Sequence, residues 1–194
     1  MAPRPVHPYK YRSCYQLMPY RRSARNQRKQ ISMLIKTAQI SDCGHYRYEL
    51  RRIWNDALPP MLLVMLNPSK ADAEEDDPTI TRVMRRARDA NCGSIIIVNL
   101  GAGRNTVPQM WMAMPDPIGS KNDVSIRVAL GEVLAKKGIA VVGWGARGGF
   151  MNRDRAFLRM AKESAVPLYC LGKTKRGHPR HPLYVSYETQ LTPY

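Results

Sequence analysis

The stretch Met61-Leu-Leu-Val-Met-Leu66, running straight into Asn67-Pro68-Ser69, decides the fold. A short unbroken apolar run that ends in a polar loop, with helical patterns on the C-terminal side, reads as a strand of a parallel sheet covered on both faces. Three more runs share that form: Ser94-Ile-Ile-Ile-Val98 before Asn99, Ile139-Ala-Val-Val142 before Gly143-Trp144-Gly145, and Val166-Pro-Leu-Tyr-Cys-Leu171 before Gly177-His-Pro-Arg-His-Pro-Leu-Tyr184. Between the first two, Asp77-Pro78-Thr79 reads as a helix start with proline at the first helical position. That helix is expected to run to about Ala90, with Ile80, Val83, Met84 and Ala87 on one face and Asn91-Cys92-Gly93 closing it through a glycine cap. A second helix is expected over Ser120–Lys137, with Val124, Val128, Leu130, Val133 and Leu134 as candidate core, and a third over Asn152–Ser164. Residues 103–119, with Pro108, Pro115, Pro117 and Gly119, read as a long irregular loop, and loops of that length in compact domains tend to be functional. Tyr46–Trp54 alternates as one or two edge strands would. The alternation predicts an α/β fold, a three-layer sandwich around a four-stranded parallel sheet. In such a sheet the strand C-termini share one edge, and ligands bind there. Four loops distant in sequence are therefore expected to meet at one site.

Composition bounds the function. A chain of 194 residues, 44% hydrophobic and 24% charged, suits one soluble globular domain. No apolar stretch approaches the roughly 20 residues of a membrane span, and the first residues lack the apolar core of a signal peptide. Cys14, Cys43, Cys92 and Cys170 are widely spaced, which reads as reduced thiols in a cytoplasmic protein rather than a disulfide frame or a zinc site. The net charge of +16 is the strong signal. Eight basic residues and no acid fall in residues 1–32, while residues 33–194 hold the other 23 basic residues and all 15 acids, a net +8. A basic surface favours nucleic acid, because phosphate binding releases counterions. Residues 1–32 show no apolar periodicity and are expected to be disordered or weakly ordered. They are either a basic arm that holds nucleic acid or an upstream reading of the gene, with Met33 the natural start. Residues 33–194 are expected to form a single domain, acting as a monomer.

The individual motifs carry different weights. Asn67-Pro68-Ser69 is a common turn after a strand, but an Asn amide can also orient water without adding charge. The acids that follow, Asp72, Glu74, Glu75, Asp76 and Asp77, favour a helix N-terminus; functionally, Asp76 or Asp77 would activate water or grip a metal. Asn99 is either a structural cap or an amide that reads a base edge. Gly143-Trp144-Gly145-Ala-Arg-Gly-Gly149 lets backbone approach a ligand, but lacks the Gly-Lys-Ser/Thr ending of a phosphate-binding P-loop. The sharpest piece is Gly177–Tyr184, which holds His178 and His181, half the histidines of the chain, after Lys173, Lys175 and Arg176. Its prolines stiffen a loop that can aim an imidazole at a leaving group, with cations suited to phosphates. Two histidines without nearby cysteine partners are too few for zinc, so no metal is expected.

The ordered set of motifs resembles the uracil-DNA glycosylase superfamily. Residues from about 42 to 185 more closely resemble the domain of unknown function 1643 family, through Met65–Ser69, Asp76–Thr79, Val98-Asn99, Asp116–Gly119, Asn122-Asp123, Trp144-Gly145 and Gly177–Tyr184. The glycosylase resemblance implies a three-layer fold of that kind and an N-glycosidic bond hydrolase acting on a flipped base, in DNA or in a related nucleotide, without a cofactor. It implies that Asn67 positions the attacking water, and the acidic run adds Asp77 as a further catalytic candidate. His178, or His181 given one extra residue in the motif, would stabilise charge on the departing base. Asn99 would read the base; Pro68, Ser69, Trp144, Gly145, Arg180 and Lys173 would line or flank the substrate. The alternative is a non-catalytic module of the same fold that binds a nucleotide or nucleic acid. A third reading, a metal-dependent phosphodiesterase, needs Asp72, Asp76 and Asp77 to converge.

Overall fold

The computed structural model describes residues 33–194; the expected basic arm at residues 1–32 lies outside the described residues. The strands are β1 (Ile35–Ile40), β2 (Arg47–Ile53), β3 (Pro60–Met65), β4 (Ser94–Asn99), β5 (Ile139–Val142), β6 (Leu168–Cys170) and β7 (Thr192–Pro193). The helices are α1 (Pro78–Asp89), α2 (Pro108–Met112), α3 (Asn122–Ala135) and α4 (Arg153–Glu163). The strands form one sheet in the order β1-β2-β4-β3-β5-β6-β7. The expected four-stranded parallel sheet is therefore a correction: the sheet is mixed and has seven strands. The four apolar runs do pair in parallel, β4 with β3, β3 with β5 and β5 with β6. Antiparallel strands extend both sides, β2 and β1 beyond β4 and β7 beyond β6.

The unbroken apolar character of β3 follows from its place at the centre. Met61, Leu63 and Met65 pack on the α1 side with Ile80, Val83, Met84 and Ala87. Leu62, Val64 and Leu66 pack on the other side with Ile126, Leu130, Val133, Phe157 and Met160 of α3 and α4. Each fully buried aliphatic side chain here contributes about 1.5–3 kcal/mol against leaving it in water. The face expected for α1 is the one buried. Its C-terminal turn differs: Asn91, not Gly93, takes the left-handed conformation after the helix, at φ 56°.

In α3 the expected core is partly wrong. Leu130 and Val133 are buried, but Val124, Val128 and Leu134 are 64%, 59% and 50% exposed. The inward stripe is Asn122, Ile126, Ala129, Leu130 and Val133. Its first member is polar because Asn122 Nδ2 donates to the backbone oxygens of Asn99 and Leu100, 3.1 Å each, at the end of β4. A choice by hydrophobicity alone mixes the inward stripe with the exposed Val124, Val128 and Leu134. The loop 103–119 also contains an unexpected short helix, α2, whose Trp111 is buried and donates through Nε1 to Pro117 O at 2.8 Å. Among the described residues no helix is long and apolar enough to cross a membrane.

Candidate functional site

The C-terminal ends of β3, β5 and β6 open with the N-terminus of α1 onto a cavity of about 580 Å³. That volume falls in the ordinary range for small-ligand sites. Asn67 and Ser69 enter it directly after β3, and the turn that carries them is pinned to the long loop. Asn67 Nδ2 donates to Asn105 O at 2.6 Å and Pro68 O at 3.1 Å, and Asn105 N donates back to Pro68 O at 3.0 Å. With Nδ2 occupied, the Asn67 Oδ1 acceptor is fixed in place and has no partner among the described residues. Pro68 itself is buried under this turn and does not line the cavity.

Asp77 also lines the cavity and is at the same time the N-cap of α1. Its Oδ1 accepts from Thr79 N at 2.8 Å and Ile80 N at 2.9 Å. Oδ2 makes no hydrogen bond among the described residues. The capping reading of this residue is realised, and the residue also stands on the cavity wall. The other acids go elsewhere. Asp76 pairs with Arg52 at 2.7 Å and Lys36 at 3.2 Å, and Asp72 accepts from Glu74 N and Glu75 N in its own turn. These acids do not converge in the cavity, which removes the basis for a phosphodiesterase.

Of the two histidines, His181 lines the cavity and His178 does not. The loop that carries them turns tightly over Thr174–His178, with Thr174 N donating to His178 O at 2.8 Å and His178 N to Thr174 Oγ1 at 3.2 Å. His181 caps the 3₁₀ turn Pro182–Tyr184: its Nδ1 accepts from Leu183 N at 3.3 Å. That bond leaves the ring hydrogen on Nε2. Burial holds the imidazole below its ordinary pKa, with Asp77 acting in the opposite direction, so at neutral pH it is an uncharged donor. The loop is held against β5. Gly145, at φ 73°, donates to Pro179 O at 3.0 Å, and Gly143 admits Pro182, whose Cδ would lie 2.9 Å from a Cβ there.

Trp144 lines the cavity while packing in edge-to-face fashion with Phe157 and Tyr194. Arg147 and Arg180, both exposed, border the cavity with Tyr184, which is 76% exposed. Lys173 instead lies over the Tyr194 ring, 4.7 Å from its centroid, and Thr174 takes the lining position from that segment. Asn99 does not line the cavity. It is buried, accepts from Arg47 Nη2 at 3.4 Å, and keeps an unpartnered Nδ2. Arg47, which does line the cavity, is buried, and burial pushes its pKa down to about 10.

The family model described as "Protein of unknown function (DUF1643)" matches residues 47–183. The chain belongs to this family. The matched span covers most of the residues that line the cavity, from Arg47 to Leu183. No curated protein and no solved structure shows a significant match to the chain.

Of the residues singled out in the sequence, the structure thus gathers Asn67, Ser69, Asp77, Trp144, Gly145, Arg180 and His181 in one cavity, and leaves Pro68, Asn99, Lys173 and His178 off its lining. Sequence reasoning missed Arg47, Asn105, Thr106, Arg147 and Tyr184. For Arg47 a signal existed: a charge inside the alternating Tyr46–Trp54 segment, where a strand position must face either core or solvent.

Proposed function

We propose that this cavity hydrolyses an N-glycosidic bond, releasing a base from DNA or from a related nucleotide. The observation that carries the reading is the convergence of Asn67, Asp77 and His181, from three separate segments, on one cavity. The glycosylase-like order of the motifs supports it. Asn67 Oδ1 accepts a hydrogen bond from the attacking water, and the Asp77 carboxylate takes its proton as the water oxygen bonds to C1′. The C1′–N bond breaks with its electron pair going to the base, and His181 Nε2–H donates a hydrogen bond to the developing anion. A neutral imidazole suits that role, since the burial that keeps it uncharged also strengthens the bond it donates. A base stacked in a duplex cannot reach such a site, so a polymer substrate must present it flipped out or single-stranded. The exposed Arg147 and Arg180 at the cavity edge suit the phosphates beside it.

One observation favours the alternative of a binding module that cuts nothing: Asn99, the amide assigned to base reading, is buried against Arg47 and off the lining. End-labelled oligonucleotides carrying uracil, hypoxanthine, 5-hydroxymethyluracil or other modified bases separate the two. Alkali-labile abasic sites formed by the protein and lost in Asn67→Ala support the hydrolase. Salt-sensitive binding without abasic sites supports the binding module.

A further inference from the structure

Two arginines of β2 are buried to the same degree and treated in opposite ways. Arg52 is neutralised: its Nε donates to Asp76 Oδ1 at 2.7 Å, and its Nη atoms donate to the backbone oxygens of Asp72, Glu75 and Arg51. Arg47 is 2% exposed and enters no ion pair among the described residues. Its Nη1 donates to Ala71 O at 2.5 Å and its Nη2 reaches Asn99 Oδ1 at 3.4 Å, a long contact. Its Nε–H is buried with no acceptor. Burial and the nearby Arg104 press against its charge, and Asp77 favours it from a distance.

An uncompensated guanidinium in a low-dielectric setting is expensive to keep. Arg52 faces a structural counter-charge; Arg47 faces a cavity. The cavity lining holds Arg47, Arg147 and Arg180 against the single carboxylate of Asp77, one oxygen of which is already committed to α1. His181 adds no charge to that balance at neutral pH.

We propose that the cavity takes a ligand carrying an anionic phosphate oxygen that sits against Arg47. The inference rests on the reading of the cavity as a nucleotide or nucleic-acid site and narrows its substrate. The unit that enters brings its own phosphate group inside, so a nucleotide is held and a neutral nucleoside or free base is not. Three guanidiniums against one carboxylate match a doubly charged phosphate monoester better than a singly charged group. The cavity, at about 580 Å³, is large enough for a mononucleotide unit.

The test uses the full chain at constant ionic strength, with three probes: thymidine 5′-monophosphate, thymidine and inorganic phosphate, measured by calorimetric titration. Arg47→Met removes the charge and Arg47→Lys keeps it without the planar fork. Arg127→Ala, an exposed position paired with Glu163, controls for general loss of charge. The expected result is that the monophosphate binds about tenfold or more tighter than thymidine, the scale of one charge-assisted contact. That preference persists in Arg127→Ala, weakens in Arg47→Lys and disappears in Arg47→Met. Competition by inorganic phosphate assigns the site to the phosphate group alone; its absence with the preference intact assigns it to the phosphate joined to the nucleoside. Equal binding of monophosphate and thymidine by the unaltered protein overturns the proposal, whether or not the Arg47 variants fold. So does a preference that survives in a folded Arg47→Met. Base release from oligonucleotides is measured separately, so a failed anion site and a failed hydrolase give different patterns.

Discussion

Asp77 offers the most decisive substitution in this protein because two of its roles come apart chemically. Its Oδ1 accepts from Thr79 N and Ile80 N as the cap of α1, while the carboxylate faces the cavity as the proposed base. Asp77→Ala removes both. Losing an N-cap acceptor costs about 1 kcal/mol, within a range of about 0.5–2. In a domain of this size that lowers the melting temperature by about 2–4 °C. Asp77→Asn keeps an oxygen in the capping position, and Asn caps as well as Asp; what it loses is the charge at the helix N-terminus, about 0.3–1 kcal/mol. The amide cannot take a proton from water, so cleavage falls by about a hundredfold or more. Urea unfolding followed by circular dichroism gives the stability of both variants, and base release from an oligonucleotide gives their activity. The expected pattern is a smaller stability loss in Asp77→Asn than in Asp77→Ala, with activity lost in both. Full activity in Asp77→Asn would reduce the residue to a cap and refute its role as base. Equal destabilisation by the two would refute the cap geometry.

Three further predictions follow from single residues. His181 has a folded pKa held below its ordinary value by burial. As pH falls below about 6.5, the unfolded chain takes up a proton that the folded one resists, and stability drops until the folded pKa is passed. Urea unfolding across pH 4–8 is expected to show a shallower acid slope in His181→Gln than in the unaltered protein; identical slopes contradict the burial of a neutral ring. Arg52→Ala leaves Asp76 without its shortest partner and strips donors from the backbone oxygens of Asp72 and Glu75, which is expected to cost about 3–5 kcal/mol by chemical denaturation. Gly143→Ala puts a Cβ 2.9 Å from Pro182 Cδ. It is expected to cost about 1–3 kcal/mol and to displace the loop that carries His181, so base release should fall more than stability alone explains. Activity unchanged in a folded Gly143→Ala would show that the loop tolerates the shift.

How much of this was legible in the sequence depends on whether a feature is local. The strands β3, β4 and β5 announce themselves because both faces are covered and each carries an unbroken apolar run. The start of α1 is legible because Asp77-Pro78 supplies the cap and a preset φ in adjacent residues. β7 is not: two residues, Thr192–Pro193, become a strand only because Tyr169 and Cys170 present an open edge to them. The inward stripe of α3 is only partly legible, in Leu130 and Val133, because Asn122, a polar residue, begins it, and its purpose lies in the carbonyls of Asn99 and Leu100. Within the site, Asn67 and the histidine loop stand out by composition. The choice of His181 over His178 rests on the turn geometry between Thr174 and Leu183. For Arg47 the alternation of Tyr46–Trp54 offers a signal of position, but its lack of a counter-charge is a property of the folded neighbourhood, not of β2.

The central claim is that water attacks C1′ of a nucleotide in this cavity. The direct measurement is base release in water enriched in oxygen-18, with the modified-base oligonucleotide panel and the corresponding nucleoside monophosphates as substrates and mass spectrometry of both products. The account predicts a free base without label and an abasic sugar that carries one oxygen-18 atom, with neither product formed by Asn67→Ala. Intact oligonucleotides together with intact nucleoside monophosphates, or a product labelled on the base or on phosphorus instead of C1′, would contradict it.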